Sequence, residues 1–150
     1  MMDSTSSPYK IEVRKFQPQD GLKLLSEPTA ERFFSKITVE QLGEISRHPA
    51  YSFFINDKLV SCGGIVIQEE AEAWSIVPKG LSFSETKEVV RNAKKILREI
   101  MDEFGLKRIR ATWKTTFDPK IKWLKHLGFR KTNETIETNG ILSYVYVMEI

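Results

Sequence analysis

The segment from Ile121 to Phe129 restricts the possible folds of this chain more than any other. Its sequence, Ile-Lys-Trp-Leu-Lys-His-Leu-Gly-Phe, predicts a short amphipathic helix followed by a strand-like run from Phe129 to Ile136. Glycine adopts the left-handed conformation without steric cost, so Gly128 can end the helix and turn Phe129 back into the core. Such a helix end is common by itself. Its weight comes from the order of the elements that precede it.

Apolar periodicity predicts elements in the order β-α-α-β-β-β-α-β-α-β-β. Strand-like runs alternate apolar and polar residues or are rich in β-branched and aromatic residues, whereas the helical runs repeat at helical spacing. The runs are a strand beginning at Ile11, helices at Asp20–Ser26 and Thr29–Arg47, strands at Tyr51–Ile55, Leu59–Ile67 and Ala71–Val77, a long helix from Ser82 to Gly105, a strand at Ile109–Trp113, the Trp123 helix, and strands at Phe129–Glu137 and Ile141–Ile150.

Local signals agree with this order. Two pairs have the spacing of a capping box, Thr38 with Gln41 and Ser82 with Glu85. The dipeptide Asn139-Gly140 suits a type I′ turn between the last two strands. Because Gly63-Gly64 lies inside a strand and adds no side-chain packing, it predicts either a bulge or a close approach by another backbone.

The long helix crosses over between two strands that can lie parallel, and the other strands follow one another as hairpins. The sequence therefore predicts an α/β fold of the α+β kind, with a mixed, mostly antiparallel central sheet and helices on both faces. No repeat or linker interrupts the chain, so we expect residues 1–150 to form one domain with residues 1–9 as a flexible terminus.

Composition excludes several classes of protein. Hydrophobic residues make up 41% and charged residues 29%, as in ordinary soluble globular proteins. No apolar run approaches the ~20 residues of a membrane span, and Met1 to Pro8 lack the apolar centre of a signal peptide, so we expect a cytoplasmic location. The one cysteine, Cys62, cannot form an intrachain disulfide and is predicted to be an inert packed thiol. No metal site is predicted.

The net charge of +3 is mild, which does not favour a nucleic-acid or membrane partner. The densest basic run falls on the polar side of the long helix, where a solvated surface is the simpler interpretation. That run contains Arg91, Lys94, Lys95 and Arg98. His48 and His126 follow charged residues in predicted helices without evident partners, which favours surface positions over catalysis.

The order of elements, with Leu-Gly-Phe after the last helix, resembles the GNAT superfamily of acyl-CoA-dependent N-acyltransferases from about Ile11 to Ile150. The resemblance implies that two parallel strands splay apart to admit the pantetheine arm of acetyl-CoA. It also implies that the pyrophosphate binds backbone N–H groups at the start of the central helix, where a helix offers unpaired donors and its positive dipole end. The residues at the matching positions are Ile76, Val77, Lys79, Gly80, Leu81, Ser82 and Ser84.

Two features depart from the family pattern. The loop Val77–Ser84 lacks the Arg/Gln-x-x-Gly-x-Gly/Ala signature and keeps one glycine, so its serines can form either a helix cap or part of a phosphate cradle. The positions of the family's tyrosine acid and asparagine hold Leu124 and Phe117, which cannot donate a proton to a leaving thiolate. Tyr144 and Tyr146 carry hydroxyl groups on the last strand, where core or edge positions are the simpler interpretation.

Acylation of an amine also needs a carboxylate or a held water near the strand that precedes the central helix. Glu69, Glu70 and Glu72 lie at its start. Glu72 is the preferred base because it shares a strand face with Trp74 and Ile76, and apolar surroundings suit proton uptake by a carboxylate. A solvated acidic turn is the alternative.

The Trp74 strand with its Pro-containing loop, and the Ile-Lys-Trp-Leu-Lys-His-Leu-Gly-Phe helix, also resemble small GNAT-like proteins encoded by tailed bacteriophages near virion genes. Two functions are consistent with these features. As an enzyme, the protein would transfer an acetyl group from acetyl-CoA to a primary amine of a small molecule or protein. As a catalytically inert module, it would bind a protein partner, such as a virion or assembly protein, through an exposed apolar patch. That patch would contain Tyr51, Phe53, Phe54 and Trp123. We expect the enzyme. The run Tyr144–Val147 could pair two copies as a homodimer, and pairing within one copy explains it equally well.

Overall fold

The computed structural model describes residues 8–26, 30–34, 38–78, 80–113, 121–138 and 140–150 of the chain. These residues form strands, α-helices and one 3₁₀ turn, Val39–Gln41, around a single sheet. The strands are β1 (Ile11–Lys15), β2 (Ala30–Phe34), β3 (Ala50–Ile55), β4 (Lys58–Val66), β5 (Glu72–Pro78), β6 (Arg108–Trp113), β7 (Arg130–Thr138) and β8 (Ile141–Glu149). The helices are α1 (Pro18–Leu25), α2 (Leu42–Ile45), α3 (Phe83–Glu103) and α4 (Ile121–Leu127).

The strand order across the sheet is β1-β3-β4-β5-β6-β8-β7. Neighbours are antiparallel except β5 and β6, which are parallel because α3 carries the chain back to the end of the sheet where β5 began. β2 lies off this path and pairs antiparallel with β5. The predicted mixed, mostly antiparallel sheet is confirmed.

The predicted helix over Thr29–Arg47 is wrong in its first part. The segment Ala30–Phe34 is a strand, and helical structure begins at Val39 and continues as α2. Short segments adopt the structure that their surroundings favour, and the edge of β5 offers backbone hydrogen bonds that a one-turn helix could not replace. The predicted capping box is confirmed, since the backbone N–H of Thr38 donates to Oε1 of Gln41 at 2.8 Å.

The helices cover both faces of the sheet, and each face has its own hydrophobic core. On one face, α3 and α4 contribute Leu97, Met101, Leu124 and Leu127 to the larger core. On the other face, apolar residues of α1 and α2 pack around Trp74 with other residues of β4 and β5. None of the helices within the described ranges is long and apolar enough to span a membrane.

The glycine pair of β4 marks a close approach and not a bulge. A Cβ atom on Gly64 would lie 2.4 Å from the carbonyl oxygen of Pro49, and one on Gly63 would lie 2.8 Å from the hydroxyl of Tyr51. The irregularity between β3 and β4 falls instead at Phe53 and Phe54. Both glycines are therefore required by the space that their neighbours occupy.

The end of α4 follows the prediction. Gly128 has φ +107°, and the N–H of Phe129 donates to the carbonyl of Leu124 at 2.9 Å, which returns a buried Phe129 to the core. In the hairpin between β7 and β8, Gly140 has φ +78°, as a type I′ turn requires, while Asn139 lies outside the described residues.

The last strand, β8, lies between β6 and β7 and pairs with both. Tyr144–Val147 therefore have strand partners within one copy of the chain, and the alternative of internal pairing is the one observed. At the other end of the chain, the Tyr9 hydroxyl is 2.5 Å from Oγ of Ser84, so the terminal segment contacts α3 at Tyr9. Residues 1–7 of the predicted flexible terminus lie outside the described ranges.

Candidate functional site

The sheet splits between β5 and β6. Within the described part of the chain, the two parallel strands share one register pair, Glu72 with Arg110, and the N–H of Arg110 donates to the carbonyl of Ala71 at 2.9 Å. Beyond this point β5 runs on to Pro78 with no register pair to β6 among the described residues. The split therefore opens toward the end of β5 that leads into α3.

The edge of β5 that β6 leaves is covered by β2. Ala30 is opposite Pro78, Glu31 is opposite Val77 and Arg32 is opposite Ile76. A bulge between Arg32 and Phe34 interrupts this pairing before Ser75. β2 thus lies along the open side of the split, a feature that sequence patterns did not reveal.

The turn from β5 into α3 contains most of the predicted cofactor residues. Gly80 has φ +88°, and a Cβ atom there would meet open space, so the turn is accessible. Leu81 packs against the larger core, and Ser82 is the N-cap, with Oγ accepting from the N–H of Glu85 at 3.1 Å. The Glu85 side chain accepts in return from the N–H of Ser82 at 2.8 Å, so the predicted capping box is confirmed.

The other members of this set differ in position. Ser84 is exposed in the first turn of α3, 3.3 Å from the Ser82 hydroxyl, and Lys79 lies outside the described residues. Val77 faces the larger core, whereas Ile76 is fully buried among the residues that pack on α1 and α2. The structure thus groups Gly80, Leu81, Ser82 and Ser84 at the helix start, and Val77 a few residues before them.

A small pocket lies where β5 meets α3 and α4. Its lining includes Tyr51, Ser75, Val77, Thr86, Val89 and Trp123. The free volume is about 10 Å³, roughly enough for one water molecule. Without movement of its lining, the pocket cannot admit a larger group.

Tyr51, Ser75 and Thr86 contribute hydroxyl-bearing side chains to this pocket, and none of them was predicted to belong to an active site. Tyr51 on β3 and Ser75 on β5 both pair with Gly63 on the intervening strand β4. Because Gly63 has no side chain, the Tyr51 ring can lie across it toward the pocket. Burial raises the pKa of Tyr51, so its phenol stays protonated at neutral pH. The one signal in the sequence for this pocket was Ser75, a polar residue in an otherwise apolar part of β5.

The predicted base, Glu72, lies at the start of β5, where β5 still pairs with β6. Its Oε1 accepts from Nε of Arg110 at 3.3 Å, and both side chains are about a quarter exposed, 23% for Glu72 and 25% for Arg110. The carboxylate therefore has a guanidinium neighbour in addition to the apolar Trp74 and Ile76 on its strand face. Along the strand it is roughly 13 Å from Ile76, since a strand rises about 3.3 Å per residue.

Of the other positions considered for a general acid, the described ones, Leu124, Tyr144 and Tyr146, do not line the pocket. Leu124 is buried in the larger core, and Phe117 lies outside the described residues. Tyr146 is 1% exposed, and its hydroxyl has no hydrogen-bond partner among the described residues. Burial raises the pKa of Tyr146. Tyr144 is half-buried with Nζ of Lys131 4.9 Å from its ring centre.

The four residues expected in the apolar patch of a binding module are not exposed. Tyr51 and Phe53 are buried, and Phe54 and Trp123 are half-buried. Of the histidines, His126 is exposed as expected, and His48 is half-buried with a hydrogen-bond partner that the sequence did not suggest. Its Nδ1 accepts from the backbone N–H of Ile67 at 3.1 Å, which holds the end of α2 against β4.

The basic residues of the long helix and the single cysteine lie where the sequence predicted. The basic residues of α3 are exposed on its outer face, and Arg91 pairs with Glu88 at 2.6 Å. Cys62 is buried with its Sγ 3.5 Å from Oγ of Ser52, and burial raises the pKa of its thiol to about 12. Cys62 is thus an inert thiol at neutral pH.

Comparison with known proteins shows structural similarity without recognisable sequence similarity. No family model and no curated protein matches the sequence. An N-acetyltransferase from Staphylococcus aureus Mu50 matches with a TM-score of 0.71 and 11% identity, over 93% of this chain and 97% of that one. The IAA acetyltransferase from Bacillus cereus ATCC 14579 matches with a TM-score of 0.63 and 15% identity, over 94% and 100% of the two chains.

A Bacillus subtilis acetyltransferase solved in complex with CoA also matches, with a TM-score of 0.63 and 14% identity over 95% of this chain and 99% of that one. A match from Streptococcus pneumoniae is an acetyltransferase described as a member of the GNAT family. Identities this low carry the fold and no more. The chain has the fold of the GNAT acetyltransferases, as its order of elements predicted.

Proposed function

We propose that the protein is an acyl-CoA-dependent N-acyltransferase that transfers an acetyl group from acetyl-CoA to a primary amine. The observation that carries this proposal is the split between parallel strands β5 and β6, which opens toward the start of α3. The split places an edge of β5, which β2 covers, next to a helix N-terminus and a small pocket with hydroxyl groups. Each of these suits a different part of an acyl-CoA molecule.

The pyrophosphate end fits the turn into α3. Gly80 leaves the turn open, and the first N–H groups of this long helix point outward with the positive end of its dipole. The hydroxyls of Ser82 and Ser84 lie beside these groups and can donate to phosphate oxygens. Lys79 is proposed to add a charged donor.

The acyl end would lie at the split. The thioester supplies an activated acyl group, and the protein orients it and polarises its carbonyl. Backbone N–H groups of β5 near Val77 are the proposed donors, and Ile76 and Leu81 would line the path. Tyr51 and Ser75 in the adjoining pocket would donate hydrogen bonds to the departing sulfur.

Glu72 is the proposed base. It would accept a proton from the ammonium form of the acceptor through a chain of waters, because it lies roughly 13 Å along β5 from Ile76. The neutral nitrogen can then attack the acyl carbon. Because Arg110 holds the carboxylate at 3.3 Å, an incoming ammonium group would share or replace this partner. The acceptor would therefore approach from the face on which α1 and α2 pack.

Calorimetric titration with acetyl-CoA, with free CoA as comparison, tests the first part of the proposal. We expect micromolar binding together with a rise in melting temperature. A panel of small amines and amine-bearing peptides should then reveal transfer of the acetyl group, followed as release of the CoA thiol.

The base is tested by Glu72→Gln, which keeps the shape of the side chain. We expect kcat to fall by about 10²–10⁴-fold with little change in acetyl-CoA affinity. Glu70→Gln is the matched control, because Glu70 also faces an arginine, Arg108 at 3.9 Å, but lies before β5. Equal turnover in the two variants would remove Glu72 from the mechanism.

One observation favours the second candidate function, a catalytically inert module that binds a protein partner, for which a virion or assembly protein is the proposed class. β2 covers the edge of β5 at the split, and the adjoining pocket is about 10 Å³. A chain that had lost its cofactor would have this closed arrangement. No binding of acetyl-CoA at millimolar concentration by wild type and by a variant with β2 released would select this function.

A further inference from the structure

We infer that β2 and the pantetheine arm of acyl-CoA bind the same edge of β5, so that β2 is a built-in competitor that must leave before the cofactor can bind. The inference rests on the proposed function, and it adds a conformational step to that function. It starts from the pairing of β2 with β5.

The direction of the backbone N–H and carbonyl groups of β5 identifies the edge that β2 and the ligand would share. The carbonyl of Ala71 accepts from Arg110 at the β6 side, and backbone groups alternate between the two edges of a strand. The N–H and carbonyl groups of Ala73, Ser75 and Val77 therefore point to the same side. In the described structure that side is occupied by β2 next to Val77.

The ligand would use these same groups. The pantetheine arm is an extended chain with two amides, and an extended amide chain binds a strand edge as an added strand does. The N–H of Val77 cannot donate to both Glu31 of β2 and a ligand amide with good geometry. The adjoining pocket, at about 10 Å³, offers no alternative place for an acyl arm.

β2 can leave β5 without loss of the rest of the sheet. It has five residues, and a bulge between Arg32 and Phe34 interrupts its pairing. Among the described residues it pairs with β5 and with no second strand, whereas β5 keeps the partner β4 on its other edge. Loss of β2 would leave the sheet order β1-β3-β4-β5-β6-β8-β7 intact.

A reversible lock on β2 tests the inference. Ala30 and Pro78 are directly opposite, and the alternation above makes them a non-hydrogen-bonded pair, whose Cα atoms lie close enough for a disulfide. In the double variant Ala30→Cys/Pro78→Cys, oxidation ties β2 to β5 and reduction frees it. The native Cys62 is buried and does not compete. The single variants are the controls for each substitution.

We expect the reduced double variant to bind acetyl-CoA like the single variants, and the oxidised form to bind at least 30-fold more weakly. A second pair tests the opposite direction. Glu31→Pro removes the N–H that faces Val77, and Glu31→Ala keeps it. We expect Glu31→Pro to bind acetyl-CoA about three- to tenfold more tightly than Glu31→Ala, because the open form is more populated.

The outcomes separate the inference from the proposed function. Equal affinity of the oxidised and reduced forms would overturn the inference and leave the acyltransferase proposal standing. Binding by Glu31→Pro without detectable binding by wild type would support both. If wild type, Glu31→Pro and the reduced double variant all fail to bind at millimolar acetyl-CoA, the proposed function fails, and the inference fails with it.

Discussion

Replacement of Gly64 by alanine should disrupt the contact that holds the start of β3 against β4. The added Cβ would lie 2.4 Å from the carbonyl oxygen of Pro49 and 2.7 Å from Cα of Ala50. Both obstacles are backbone atoms, so no change of side-chain rotamer can relieve them. The same carbonyl of Pro49 accepts from the N–H of Ile65 at 3.0 Å, and this hydrogen bond would lengthen as the strands move apart.

The expected loss follows from these two effects. Overpacking of a dense core usually costs about 1–3 kcal/mol, and a clash with backbone belongs at the upper end of that range. Weakening of a backbone hydrogen bond adds about 0.5–1.5 kcal/mol. We therefore expect the free energy of unfolding to fall by about 3 kcal/mol, which lowers Tm by roughly 6–12 °C in a chain of this size.

Urea denaturation followed by tryptophan fluorescence measures this change. Gly43→Ala is the control, since a Cβ there meets nothing within 4 Å and alanine favours the helix, so its stability should stay the same or rise by up to about 1 kcal/mol. A Gly64→Ala protein within about 0.5 kcal/mol of wild type, at an unchanged m-value, would show that β3 and β4 do not approach as described.

Three further changes have defined outcomes. Ser82→Ala should lower the free energy of unfolding by about 1 kcal/mol through loss of the α3 cap, whereas Ser84→Ala should lower it less; equal losses in denaturation would contradict the cap. Gly63→Ala should push the Tyr51 ring into the pocket, with a loss of about 1–3 kcal/mol in denaturation, and unchanged stability would refute that contact. The Cys62 thiol, whose pKa rises from 9.0 to about 12 on folding, keeps its proton in the folded state while the unfolded state loses it. The contribution of this thiol to the free energy of unfolding should therefore fall by about 1.4 kcal/mol per pH unit between pH 9 and 12. If the free energy of unfolding of Cys62→Ala falls with pH as steeply as that of wild type, the thiol makes no such contribution.

Much of the fold could be predicted because its signals are local. The α3 cap depends on Ser82 and Glu85, three residues apart, and the end of α4 depends on Gly128. β2 was missed because Ala-Glu-Arg-Phe-Phe fits helical spacing as well as strand spacing over five residues. The choice is made by the edge of β5, which lies more than forty residues further along the chain.

The candidate site was less accessible to sequence reasoning. The resemblance in the order of elements was enough to select Gly80, Ser82 and Ser84 as candidate cofactor residues, and they lie together at the start of α3. Tyr51 and Ser75 meet only because Gly63 lies between them in the sheet, and this depends on two strand registers. The Arg110 partner of Glu72 lies 38 residues along the chain and depends on the single register pair between β5 and β6 that the described residues contain.

The central position of β8 has a consequence for synthesis of the chain on the ribosome. β7 is made before β8, yet its described sheet partner is β8, and β6 also waits for β8 on that side. The half of the sheet that contains β6, β7 and β8 can therefore form only after Glu149 has left the exit tunnel. The β3-β4-β5 meander has no such requirement and can form during translation. A nascent chain stalled within β8 should thus show protease protection of the meander before that of β6 and β7.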